Sequence, residues 1–354
     1  MTPRRTAKNR LFSAAAAALV LSAFLASALS AQTGPTATPP YTISVFATSQ
    51  NGYSQPDSIT RWKNSILIGF GNGVAKDCTD GKSSTIVQYS LSGVLERTFS
   101  VIGHNDGLRL QPNTNKLWAL QCEDGNPNLV IIDLETGAQS LYTFPPTPHG
   151  GGYDDATFRD GQVYITASNP TLNGQGVNVF PALVRVTSLA SGVVTVEPVL
   201  YGNATAIDIP TGTTITLNLT DPDSLTVDDR GNIVLDSQAD SELVFIRDPL
   251  TANQTSGRLS ITSAGVATTL DDTAFATSSG VSGAFLLVAD LGGDAIYRID
   301  AMPWGFEPGV AYSASDTVGI VATLNLDTGA LTSIVTGLVS GRGELFVSPA
   351  GARR

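Results

Sequence analysis

The chain has 354 residues, 14% of them charged, with 31 acidic residues against 20 Lys and Arg and a formal net charge of −11. A surface this acidic repels the phosphate backbone, which excludes nucleic acid as a partner. Length alone would suggest two domains, but no shift in composition marks a second domain.

The first element in chain order is a leader over residues 1–31. Arg4, Arg5, Lys8 and Arg10 precede an apolar run from Leu11 to Leu29, and Ala26-Ser27-Ala28 or Ala31-Gln32 offers a small-residue cleavage site. This pattern predicts a secretory signal peptide and a secreted or periplasmic protein. Removing its four basic residues leaves 16 Lys and Arg against 31 acids. A Pro/Thr-rich spacer over 32–40 follows, and a single domain is expected over 41–354. No other segment has the roughly 20 apolar residues that a spanning helix needs, so no membrane span is expected after signal removal.

From Tyr41 onward the chain reads as strands. Tyr41 to Thr48 alternates and is expected to pair with C-terminal strands, closing a ring and removing exposed edges. An acidic residue followed by a short apolar strand then recurs in Pro56-Asp57-Ser58-Ile59, Asn105-Asp106-Gly107-Leu108, Asp154-Asp155-Ala156-Thr157-Phe158, Pro222-Asp223-Ser224-Leu225 and Asp271-Asp272-Thr273-Ala274-Phe275. With Asp57, Asp106, Asp155, Asp223 and Asp272 aligned, the intervals are 49, 49, 68 and 49 residues. A period of about 40–50 residues with four strands per unit predicts an all-β propeller of six blades, or seven if the C-terminal part divides further. The second unit is the clearest, with strands at Leu108–Leu110, Lys116–Leu120, Asn128–Asp133 and Ser140–Phe144. Residues 284–290 and 295–300 are expected to complete blade five, and 309–347 to supply most of a last blade. There Gly343 to Val347 resembles a first strand with no aspartate in register.

In a four-stranded meander the first strand lines the central channel, and the loop entering it shares a face with the loop between the second and third strands. The aspartates should therefore ring one mouth, joined by Asp77, Asp80, Glu123, Asp124, Asn126, Asn169, Asp236, Gln238, Asp290 and Asp294. Converging carboxylates raise one another's pKa unless a cation offsets them. Asp57, Asn105, Asp106, Asp155, Asp223 and Asp272 are the candidate ligands, and Ca2+ is the expected divalent ion because it takes six to eight oxygens. The alternative is that each aspartate caps its own turn. His104 and Asp154 are the candidate catalytic residues, His104 as a base activating water. His149, in Pro145 to Gly152, is expected as a solvated loop or rim residue. Cys78 and Cys122 fall in neighbouring second loops and are expected to form a disulfide that stiffens the rim; two buried thiols are the competing reading. The glycine run lacks the Lys-Ser/Thr of a phosphate loop, and no Gly-x-Ser-x-Gly elbow occurs.

At Pro222-Asp223-Ser224-Leu225-Thr226-Val227-Asp228-Asp229-Arg230-Gly231-Asn232-Ile233 the chain resembles the Pro-Asp-Gly-Leu-x-x-Asp-x-x-Gly-Asn-Leu stretch of the gluconolactonase and senescence-marker propellers, and more loosely NHL-repeat propellers. The resemblance implies six blades, a divalent cation held in the channel, and hydrolysis of a lactone or ester. It matches Asp223 to that family's ligand aspartate. Asp57 stands where the family has glutamate, Asp106 where it has the asparagine of Asn-Gly-Leu, and Tyr153-Asp154-Asp155 where a further Asn-Gly-Leu would fall. Two other functions follow from the same mouth: a non-catalytic module engaging a sugar or a partner protein, and a metal-dependent lyase. A monomer is expected in each case.

Overall fold

The computed structural model describes residues 34–348 except 51 and 277–282, so the predicted signal peptide lies outside the described residues. Within them the chain is an all-β propeller whose strands form six sheets. The inner strands are Pro56–Trp62, Asn105–Leu110, Tyr153–Arg159, Pro222–Val227, Asp272–Phe275 and Gly341–Val347. Each touches the next and the last touches the first, which makes a closed ring around the channel. Sheets are numbered below by these inner strands, one to six.

Sheets one, two and three are meanders of four consecutive antiparallel strands. Sheet four adds Thr205–Asp208, which pairs in parallel with Thr255–Ser260. The last two sheets interleave, which corrects the expected division of the C-terminal third. Asp272–Phe275 pairs with Ala311–Ser315, skipping the intervening strands, and sheet five continues through Ile320–Leu324 and Ala330–Thr336. Phe285–Asp290 and Ala295–Ala301 do not complete blade five. They pair instead with Gly341–Val347 on one side and Tyr41–Thr48 on the other, so the first long strand and the last close sheet six. Part of the expected spacer also joins the fold, because Thr36–Ala37 pairs with Val335 and Thr336.

Six apolar clusters hold the ring, one in each gap between neighbouring sheets. The alternation of each strand explains this placement, since successive side chains face opposite gaps. In sheet one, Ile66, Ile68 and Phe70 face sheet six while Leu67 faces sheet two. Because both faces are covered, a second strand such as Ser65–Phe70 is buried at every position and is apolar after its first residue.

Candidate functional site

The inner strands share one irregularity that builds the site. Pairing with the second strand slips between Pro56 and Ile59, Asn105 and Leu108, Tyr153 and Ala156, and Pro222 and Leu225. A matching slip sets Gly341–Val347 against Asp290, and in sheet five both Asp271 and Asp272 face Ala314. A bulge places two residues opposite one and re-aims their side chains. Two consecutive positions per sheet therefore face the channel, in two tiers.

The upper tier reads Asp57, Asp106, Asp154, Asp223, Asp271 and Arg342, five acids closed by one cation. The lower tier reads Ser58, Gly107, Asp155, Ser224, Asp272 and Gly343. All but Gly107 line a funnel that opens to solvent. The glycines let adjacent strands approach: a Cβ on Gly107 would stand 2.2 Å from the Asp154 carbonyl oxygen, and one on Gly343 2.6 Å from that of Asp57.

This register corrects the expected ring at two positions. Asp154, expected as catalytic, occupies the place assigned to Asp155, and Asp271 the place assigned to Asp272. Both displaced residues clamp the neighbouring sheet from the lower tier. Asp155 Oδ2 accepts the Leu225 N–H at 3.0 Å, and Asp272 Oδ2 accepts that of Glu344 at 2.9 Å. Asn105 is fully buried outside the funnel, its amide donating to the carbonyls of Gly107 and Leu120.

Three cations missed by the sequence reading enter the funnel. Lys76 Nζ lies 2.6 Å from Glu123 Oε1. Arg342 pairs with Asp271. Arg109 crosses the floor and ties three sheets together, donating to Ala156 O and Leu225 O at 2.8 Å and to Asp155 Oδ2 at 2.5 Å. Asp221, Ser168 and Ser224 also line the space.

Burial pushes Asp57, Asp154 and Asp223 well above the usual carboxylate range, and neighbouring carboxylates push them further. Asp154 hydrogen-bonds Asp223 within this buried pair. Burial and Asp106 likewise raise Glu123, whereas Asp106, despite its own burial, is held low by Lys76, His104 and the Glu123 hydrogen bond. Burial moves Asp271 to about 6, opposed by Arg342, and Asp272 to about 7, opposed by Arg109.

The second loops divide between the two expected roles. Glu123, Asp124 and Gln238 line the funnel, and Gln238 donates to Asp271 at 3.1 Å. Asp77 and Asp80 cap their own turns at Thr79 and Lys82. Asn126 and Asn169 donate to the backbone of Asp77 and Asp124. Asp290 accepts the N–H groups of Gly293, Val339 and Ser340, and Asp294 that of Gln55. Asp236 is buried beneath the ring without a hydrogen-bond partner.

Cys78 and Cys122 form a disulfide. It joins the loop of Lys76 to that of Glu123. His104 lies behind the rim rather than in the funnel: its backbone N–H points at Cys78 Sγ at 3.1 Å, its ring covers Gly71, and burial lowers its pKa. The expectation for His149 is also corrected. It is 2% exposed, bonded through Nε2 to Gly152 O at 2.8 Å and packed edge-on to Tyr153. Among the described residues, no three His, Cys, Asp or Glu side chains already converge in metal-binding geometry.

No family model matches this sequence, and no curated protein matches it. Similar solved structures include virginiamycin B lyase from Staphylococcus aureus, at 11% identity over 80% of this chain and 85% of that chain with a TM-score of 0.46. A protein of unknown function from Bacteroides caccae is 11% identical over 84% of this chain and 88% of that one, with a TM-score of 0.48. A protein described as a candidate gluconolactonase is 11% identical over 86% and 83%, with a TM-score of 0.44.

Proposed function

We propose that the protein is an exported, six-bladed propeller of the gluconolactonase-like kind that binds a divalent cation, Ca2+ in the first instance, in its acidic funnel and hydrolyses a lactone or ester there. The observation that carries this reading is the register of Asp57, Asp106, Asp154 and Asp223, four carboxylates from four neighbouring sheets at one bulged position of one funnel. Their donor chemistry suits a hard cation. Their raised or shared protons also mark a demand for positive charge that Lys76 and Arg342 do not meet.

When bound, the ion would polarise the substrate carbonyl. Asp154 is the residue of this chain proposed as proton acceptor, because it stands among the upper-tier carboxylates that line the funnel. His104 loses that role here. Its position outside the funnel favours a second reading, a non-catalytic propeller that engages a sugar or partner protein at the same mouth. Export rests on the leader sequence, and a disulfide suits an oxidising compartment.

Calorimetric titration of the mature protein with Ca2+ tests the reading. Wild type should bind in the micromolar range, on the order of −8 kcal/mol, and Asp223→Ala and Asp106→Ala should each abolish the heat. Affinity should weaken toward acid pH, because the ion must displace protons from the ring. No heat in the wild type sinks the metal site; heat without turnover of any lactone or ester favours the second reading.

A further inference from the structure

We infer that the organic ligand of the funnel is a small primary or secondary ammonium compound, bound through its N–H groups by carboxylates. The inference rests on the proposed reading of the funnel as the ligand site, though not on catalysis or on the metal.

Charge narrows the ligand class first. Ten acidic residues line the funnel against three cationic ones. Each cation is already matched to an acid of the same space, Lys76 to Glu123, Arg109 to Asp155 and Arg342 to Asp271. No lining cation is left to receive a carboxylate or phosphate, so sugar acids and phosphate esters meet only repulsion.

An unused acceptor points the same way. Asp155 is 4% exposed, and its Oδ1 has no hydrogen-bond partner although Oδ2 is engaged by Arg109 and Leu225. Glu123, on the rim, is already engaged by Lys76 and by Asp106 and contributes as part of the acidic lining. A buried acceptor left unmade is costly, whereas a bond from a charged donor is roughly twice as strong as a neutral one. Such an acceptor, in the lower tier of an acidic funnel, suits a donor that carries charge.

The lining also separates two kinds of organic cation. Quaternary ammonium groups have no N–H and are held by aromatic faces. Among the described residues, no Phe, Tyr or Trp lines the funnel. An ammonium with N–H donors therefore fits this wall better than a quaternary one.

Four probes of similar size decide the matter in calorimetric titrations run in EDTA and again with saturating Ca2+: cyclohexylammonium, cyclohexyltrimethylammonium, cyclohexanol and cyclohexanecarboxylate. Cyclohexylammonium should bind at least about tenfold more tightly than the quaternary and neutral probes, and the carboxylate should not bind. Asp155→Asn and Glu123→Gln should each cut that preference by about fivefold or more while leaving cyclohexanol unchanged. Circular dichroism and thermal midpoints check both folds; if one variant does not fold, the other and the wild-type probe order still decide. Equal binding of cyclohexanol, tighter binding of the carboxylate or quaternary probe, or a preference untouched by both substitutions overturns the inference. Heat from Ca2+ without ammonium preference removes this inference and keeps the metal reading. Ammonium preference in EDTA without Ca2+ heat does the reverse.

Discussion

Sheets one to three and sheets five and six solve the same geometric problem differently. The first three are written consecutively, and each puts an aspartate at the upper channel position. The last two interleave strands that are distant in sequence, sheet six also takes in Tyr41–Thr48 from the start of the fold, and Arg342 replaces the acid there. The two halves also differ beneath the ring. On the contiguous side Asp155 is clamped by Arg109; on the closing side Glu344, buried at 4% exposure, has no side-chain partner. Strands paired by short hairpins can repeat one local solution, whereas those meeting at the closure are set by non-local pairing and carry exceptions.

The sharpest way to break the contiguous side is to remove the link between its rim loops. Replacing both cysteines by serine should cost about 4 kcal/mol by loop-closure entropy for a separation of 44 residues. Urea unfolding of the double variant measures it, and a loss below about 1 kcal/mol would mean that the rim is held by its other contacts. Next comes Arg109→Met, which leaves the Asp155 carboxylate buried without its cation. A loss of about 3 kcal/mol is expected at pH 7, shrinking at pH 4 as Asp155 is protonated. A loss independent of pH would assign the effect to packing.

The closing side should respond in the opposite direction. Burial, reinforced by Asp272, raises Glu344 well above the ordinary range, while the unfolded chain titrates near 4.3. Above that pH the unfolded state gives up a proton that the native state keeps, so stability falls as pH rises toward the folded value. Glu344→Gln keeps the shape and cannot ionise. It should gain on the order of 1 kcal/mol at pH 8 and nothing at pH 4, read from urea midpoints at both. An equal difference at both values would show that the gain is not electrostatic.

The propeller was legible in the sequence because turn chemistry and acid-plus-strand repeats are local. The tier of each acid was not. In Asp154-Asp155 and Asp271-Asp272 the doubled aspartates leave the register ambiguous by one, and the bulge decides it by turning both side chains inward. Lys76, Arg109 and Arg342 carry no repeat signal: one sits in a loop, one is the fifth residue of its strand, and one stands where the repeat would have an acid. The exchange of strands between sheets five and six was hidden because apolar runs such as Phe285–Asp290 look the same in either sheet. His149 reads as solvated because Pro and Gly surround it, yet Tyr153 and the Gly152 carbonyl draw it inside.

The bulge at the head of each inner strand also makes the channel wall rewritable. Because two adjacent residues escape the alternation that feeds the gaps between sheets, each sheet exposes a short segment whose identity the apolar clusters do not dictate. Substitution at the upper position of the pair alters what the channel attracts without repacking an apolar cluster, so ligand preference in such a ring can drift while the lower position keeps neighbouring sheets clamped.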